Sequence, residues 1–260
     1  MFKKRILILL VISMVILAFT GGCAPKTESP APATEQPSTT TETPDPNADK
    51  ELVIAVRQAN NTFDPSAPAN AYDTIGRNQI YDTLIRKSST GEIIPSLAES
   101  FEVATDAMSI TFKLNKGVLF HNGDEFKASD AKFSIERAMT SKPTANYFSS
   151  VEKVEIVDDY TIKVVLKDPN VALLEVMITY GQMVNKSVVE SFGDKYGTSI
   201  EATVGTGPYV LKEWTPNELA VFESNPNYFE GEAAIKKLRF IAITDVNAAM
   251  IALQTGEVGL

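Results

Sequence analysis

The sequence predicts a mixed α/β fold, and three observations predict it. Residues 109–114 alternate strictly, with Ile110, Phe112 and Leu114 on one side of a half-buried strand. Residues 72–84 carry apolar side chains at helical spacing, with Ile75, Ile80 and Leu84 available to one face. Along the rest of the chain, strand-like and helix-like stretches alternate without a short repeat, as in an α/β or α+β body.

Taken in order, Leu52 to Gln58 reads as a first strand that ends in the polar turn Asn60-Asn61-Thr62-Phe63-Asp64-Pro65. After the helix at 72–84 and the strand at 109–114, Asn122-Gly123 marks a turn. Ser129 is then placed to cap a helix through Met139. Val151 to Val157 and Tyr160 to Leu166 are β-rich runs joined at Asp158-Asp159, an expected hairpin. Asp168-Pro169-Asn170 breaks the pattern before a helical stretch at 171–177. Three further strands are expected at 209–213, 219–223 and 238–243. Asp245 caps a last helix through Gln254, and Gly256 ends it. Glu257-Val258-Gly259-Leu260 reads as the start of another strand, so the chain is expected to be a fragment.

The N-terminus is a different kind of polymer. Lys3, Lys4 and Arg5 precede an apolar run from Ile6 to Phe19, and small residues follow. As a helix that run would rise about 21 Å against a hydrocarbon core of roughly 30 Å, so residues 1–22 are expected to be a signal peptide rather than a span. The chain's one cysteine, Cys23, follows Thr20-Gly21-Gly22 in a stretch that resembles a lipobox, although Thr20 stands where Leu is usual. Cys23 is therefore the expected lipidation site, and two acyl chains there would anchor the chain stably. Residues 24–50 contain no aromatic or branched aliphatic residue and are rich in Pro, Thr, Ser, Ala and Glu. Residues 23–50 are accordingly expected to be a disordered tether, and residues 51–260 the folded body.

The formal charge is −9, and −12 once the three cations of the signal are removed. Such a chain lacks the basic face that nucleic-acid binding requires. Motifs that carry catalytic chemistry are missing. Gly205-Thr206-Gly207-Pro208-Tyr209 lacks the third glycine of a dinucleotide fingerprint. Asp45-Pro46-Asn47-Ala48-Asp49 opens like a calcium loop, but Lys50 stands at the glycine position and Val56 at the final Glu. The one histidine, His121, stands beside Asp124 and Glu125 as a general base could. It is better read as a turn residue whose imidazole bonds to backbone. No catalytic residue, metal ligand or cofactor is expected.

Two long segments resemble a known family. The first runs from Ile94-Pro95-Ser96-Leu97-Ala98-Glu99-Ser100-Phe101-Glu102 through Ile110 to Leu114 and Lys116-Gly117-Val118-Leu119-Phe120-His121-Asn122-Gly123. It ends at Phe126-Lys127-Ala128-Ser129-Asp130-Ala131-Lys132-Phe133-Ser134. The second comprises Val204 to Tyr209, Glu213-Trp214, Asn225-Pro226-Asn227-Tyr228-Phe229 and Ala252-Leu253-Gln254-Thr255-Gly256-Glu257-Val258. Together with Asp64-Pro65, they are similar to the family 5 extracellular solute-binding proteins, receptors of dipeptide, oligopeptide and nickel ABC importers. Phe101 stands where that family often has Trp, and Gly259 where it usually has Asp.

The resemblance implies a periplasmic-binding-protein-like receptor whose two lobes close on a ligand about a hinge. This chain would be the first lobe, with the second missing. It implies an exported, membrane-anchored, monomeric protein that captures peptides and delivers them to a permease. A nickel chelate, glutathione or an oligosaccharide on the same scaffold is the main alternative, and a truncated lipoprotein without transport activity is another. The lobe I ligand candidates are Asn60, Asn61, Thr62, Tyr72 and Asp73, with the loop Gly205, Thr206 and Gly207. Simpler readings stand beside them: Asn60 to Thr62 as a turn, Tyr72 as packing, and Gly207-Pro208 as backbone geometry alone.

Overall fold

The computed structural model describes residues 50–68 and 71–259; the expected signal peptide, Cys23 and the tether as far as residue 49 lie outside them. The alternating run at 109–114 forms the interior of an antiparallel sheet. In that sheet β4 (Ala98–Val103), β5 (Ser109–Leu114), β7 (Thr161–Leu166) and β6 (Val151–Asp158) lie side by side in this order. Ile110 stands opposite Val164 and Phe112 opposite Ile162, so these apolar residues share one face, and each is at most 1% exposed. The hairpin expected at Asp158-Asp159 forms, with Tyr160 N donating to Asp158 Oδ1 at 2.8 Å.

Helix α2 (Ala128–Thr140) covers that face with Ala131, Ile135 and Ala138. Its start differs from the expected Ser129 cap. Lys127 holds the extended cap position, and Asp130 reaches back from the third helical position to accept from Lys127 N at 3.1 Å. A carboxylate at that position satisfies the cap N–H and favours the positive helix end, so Ser129 lies inside the first turn.

The second sheet is a meander, β8 (Tyr209–Thr215), β9 (Leu219–Ser224) and β10 (Lys237–Ala242), to which β1 (Glu51–Val56) adds parallel to β10. A parallel pair needs a crossover connection. Here everything from residue 57 to 236 intervenes, including the whole first sheet. The core of this second sheet is aromatic: the Phe63 ring meets Trp214 edge-on at 5.1 Å and Phe222 at 6.0 Å, and Phe222 meets Phe240 at 5.2 Å. The body is thus built on two hydrophobic cores rather than one.

Helix α1 (Ala71–Ile80) lies where these cores adjoin. Ile80 packs in the aromatic core, while Leu84 and Ile85, just beyond the helix, pack in the other. The helix expected over 72–84 therefore stops at Ile80, and Ile75 is 43% exposed instead of facing the core. Its buried face is Asp73, Gly76, Arg77 and Ile80. Ile80 and Leu84 are buried as expected and Ile75 is not, because polar backbone at 60–62 takes its partners from the side of the helix opposite Ile75.

Shorter elements complete the body. β2 (Ile85–Lys87) pairs with β3 (Ile93–Pro95), and α3 (Leu173–Tyr180) packs beside them, with α4 (Lys186–Phe192) after it. The last helix, α5 (Val246–Thr255), has the expected ends: Asp245 Oδ1 accepts from Ala248 N at 2.8 Å, and Gly256 is left-handed with φ 76°. Val246, Met250, Ile251 and Leu253 of α5 are largely exposed. Beyond it no strand forms among the described residues, although Gly259 N donates to Val53 O on the outer side of β1. No helix among the described residues is long and apolar enough to cross a membrane.

Replacing Phe112 by Ala, where the ring is fully buried, should destabilise the body by about 3–5 kcal/mol through lost transfer energy and a residual cavity. Urea denaturation of both proteins would measure it, and a loss below about 1 kcal/mol would mean the sheet collapses onto the site.

Candidate ligand-binding site

The polar face of α1 is met by the turn that follows β1. Asn60 is 1% exposed; its Nδ2 donates to Asp73 O at 2.7 Å, and its carbonyl accepts from Trp214 Nε1 at 2.8 Å. Asn61 N donates to Asp73 Oδ1 at 2.7 Å. Thr62 Oγ1 donates to Gly197 O at 3.3 Å, and the Thr62 carbonyl accepts from Arg77 Nε at 3.4 Å. Gly76 permits this approach: a Cβ there would lie 1.9 Å from Asn60 Oδ1. Asn60, Asn61, Thr62 and Asp73 are therefore one hydrogen-bonded cluster, with the half-buried Tyr72 on the same helical turn.

Beside this cluster opens a cavity of about 310 Å³. The first turns of α1 contribute Ala71, Thr74 and Arg77; the segment after α2 contributes Pro143, Thr144 and Tyr147; the end of α3 and its exit contribute Tyr180 and Gln182. Each wall has a local cause. α2 ends at the extended Ser141, and Pro143 cannot continue a helix, so the chain turns across the α1 N-terminus. Tyr147 and Tyr180 stack with centroids 4.2 Å apart and planes 11° from parallel. Gln182 is buried and donates to Asn78 Oδ1 at 3.2 Å. Sequence reasoning missed Arg77, Tyr147, Tyr180 and Gln182. The legible signal was a cation on the 73–76–77–80 face of α1; the two tyrosines sit in stretches without periodicity.

The glycine loop lies at the other end of α1, about 15 Å away along a ten-residue helix. Gly207 N donates to Ile80 O at 2.8 Å, and a Cβ on Gly205 would lie 2.0 Å from that same oxygen. Thr206 is fully buried, and its hydroxyl donates to Asp82 Oδ2 at 2.8 Å. His121 grips the loop from the far side. Its N donates to Gly205 O at 2.8 Å, its Nδ1 accepts from Gly205 N at 3.4 Å, and its Nε2 donates to Gly207 O at 3.0 Å. These bonds define the neutral Nε2–H tautomer. The sequence-predicted ligand residues thus form two groups at opposite ends of α1, and none of them lines the cavity itself; the group at 60–62 and 72–73 reaches it only through Arg77, which bonds to Thr62 O.

The contacts of His121 join the two segments on which the family resemblance rests, 94–134 and 204–258, at Gly205 and Gly207. The family model of bacterial extracellular solute-binding proteins, family 5 middle region, matches residues 92–260. The chain belongs to this family. Glutathione-binding protein GsiB of Pectobacterium atrosepticum is 28% identical over 215 residues, which cover 81% of this chain and 41% of the relative. The periplasmic binding protein DppA of Helicobacter pylori, solved with the peptide STSA, superposes with a TM-score of 0.73 at 28% identity, over 80% of this chain and 45% of that one. The binding protein MoaA of A. tumefaciens R10, solved with mannopinic acid, gives 0.74 at 26% identity over 81% and 44%. The family 5 chain therefore spans about two fifths of the length of the curated relatives it matches.

Two groups at the glycine loop of this family 5 chain titrate abnormally. Burial pushes His121 down to about 4, against the Gly207 hydrogen bond and with help from Lys212. Burial pushes Asp82 up to about 6, although Thr206 and Tyr228 donate to its carboxylate. The unfolded chain protonates His121 below about 6.5 while the fold holds it neutral, so its contribution is present above that pH and is lost as pH falls to about 4. Asp82 acts in the opposite sense: its cost exists above about pH 6 and is relieved as pH falls toward the ordinary carboxylate range. Removing His121 should leave the Asp82 effect alone. Relative to wild type, His121→Gln should gain on the order of 3 kcal/mol between pH 7 and pH 4, measured as the difference between urea unfolding curves.

Proposed function

We propose that this chain is the solute-holding part of an importer receptor that captures short peptides outside the cytoplasmic membrane and delivers them to an ABC permease. The observation that carries this reading is the polar, aromatic-walled cavity beside α1 on the scaffold of a solute-binding family. Main-chain recognition needs donors and acceptors around a wet cleft, which Arg77, Thr74 and Gln182 supply. DppA with its peptide, at 28% identity, supports peptides as the solute class, and the GsiB relatives favour a tripeptide of the glutathione type within it. Catalysis has no support: both ring nitrogens of His121 are bound to backbone, so it cannot take a proton from a substrate.

In this reading a second lobe closes over the cavity, and binding draws on contacts from both sides. With the contacts of one lobe alone, peptides should be held only weakly. Trp214 is the single tryptophan and bonds to Asn60 beside α1, which makes it a reporter. Titration with di- to pentapeptides should shift its emission with midpoints weaker than micromolar. A response to oligosaccharide or nickel chelate and to no peptide would overturn the peptide reading.

The same reading places a diacylglyceryl group on Cys23, with residues 24–50 as a solvated tether and residues 1–22 removed. Cells expressing the chain should incorporate radiolabelled fatty acid into it. Cys23→Ser should abolish that label and release the protein from the membrane fraction; a labelled Ser variant would remove the anchor from the proposal.

A further inference from the structure

Two arginines, one buried and one half-buried, differ in one respect. Arg137 holds Asp64 through two bonds, Nη1 to Oδ1 at 2.6 Å and Nη2 to Oδ2 at 2.7 Å. Arg77 is only 4% exposed and lines the cavity beside α1, yet its Nη2 is buried with no hydrogen-bond partner among the described residues. Among the described residues its side chain makes one hydrogen bond, Nε to Thr62 O, and that bond is long at 3.4 Å. A guanidinium stays charged in proteins, and a buried donor left unmatched is costly. Neighbouring Asp73 and Asp64 offset the charge through space, but burial outweighs them. Asp64 is already held by both nitrogens of Arg137.

We propose that Arg77 is a specificity-determining residue that receives a carboxylate of the bound solute inside this cavity. The inference rests on the solute-binding reading above and narrows it. Three features of the same cavity agree with an anionic group there. The planar fork of Arg77 matches a carboxylate with two parallel bonds. Ala71 and Thr74 in the first turns of α1 line the cavity, so the positive end of the helix faces it. The stacked pair Tyr147 and Tyr180 forms an opposing wall that accepts the uncharged remainder.

The test uses Trp214 emission and three probes: the dipeptide Ala-Ala, its C-terminal amide, and Asp-Ala amide. A carboxylate from the peptide terminus makes Ala-Ala bind about tenfold or more tighter than its amide; one from an acidic side chain does the same for Asp-Ala amide. Either preference should vanish in Arg77→Met and survive in part in Arg77→Lys, which keeps charge but not the fork. Three probes binding wild type alike would overturn the carboxylate and leave solute capture standing. No binding of any probe would remove both. Thermal melting alone does not decide: Arg77→Met removes the bond to Thr62 O and the charge facing Asp73, so it should melt below wild type whatever its role, and the carboxylate preference is what separates a specificity role from a structural one. A lower melting point with equal loss for all three probes would make Arg77 structural and overturn the inference.

Discussion

The cavity exists where it does because α1 is seated by a backbone contact. Gly207 N bonds to the Ile80 carbonyl at 2.8 Å, and Gly205 packs so close to that oxygen that no side chain fits between them. His121 closes the loop from outside through three bonds to glycine backbone. With its C-terminal end fixed, α1 turns its polar face toward the chain leaving β1, where Asn60 lies against Gly76 and bonds to Asp73. A shift at the glycine loop would therefore move Arg77 and Thr74, although neither touches the loop. Glycine is required twice along this one helix for close approach, once under its end and once against its side.

The same seat explains how two cores behave as one support. Ile80 is buried in the aromatic core, and Leu84 and Ile85, a few residues on, in the core of the other sheet. A second tie crosses between them: Asp64, next to the core residue Phe63, is held bidentately by Arg137 of α2. Both partners are mostly buried, so removing either alone would leave an uncompensated charge. The pair also explains why Asp64 cannot satisfy Arg77. Both oxygens of Asp64 are held by Arg137, and Asp64 acts on Arg77 only through space.

The surfaces away from the cavity have a different character. The α5 residues Val246, Met250, Ile251 and Leu253 present an apolar stripe, and the outer side of β1 accepts a bond from Gly259. β1 forms one edge of the sheet whose other edge, β8, carries Trp214. Relatives roughly twice as long as this chain share the scaffold. Within it, the described residues line a polar cavity from three separate parts of the sequence.

The sequence by itself determined the elements whose signals are local. Strict alternation placed β5, Asp158-Asp159 placed the hairpin, and Asp245 with Gly256 placed both ends of α5, because period, turn and cap each depend on a few neighbouring residues. The spaced phrases from 94 to 134 and 204 to 258 determined the family. β2 and β3, three residues each, are too short to show a period, and α4 has only seven. Tertiary structure alone decided which face of α1 is buried: Ile75 looked apolar enough for the core, but Asn61 N and the Thr62 carbonyl take their partners, Asp73 and Arg77, from the opposite side. It also parted the ligand candidates, taking Gly205, Thr206 and Gly207 under Ile80 while Asn60, Asn61, Thr62, Tyr72 and Asp73 gathered at the other end. Arg77, Tyr147 and Gln182 are far apart in sequence, and only packing that closes the loops between them could bring them to one cavity.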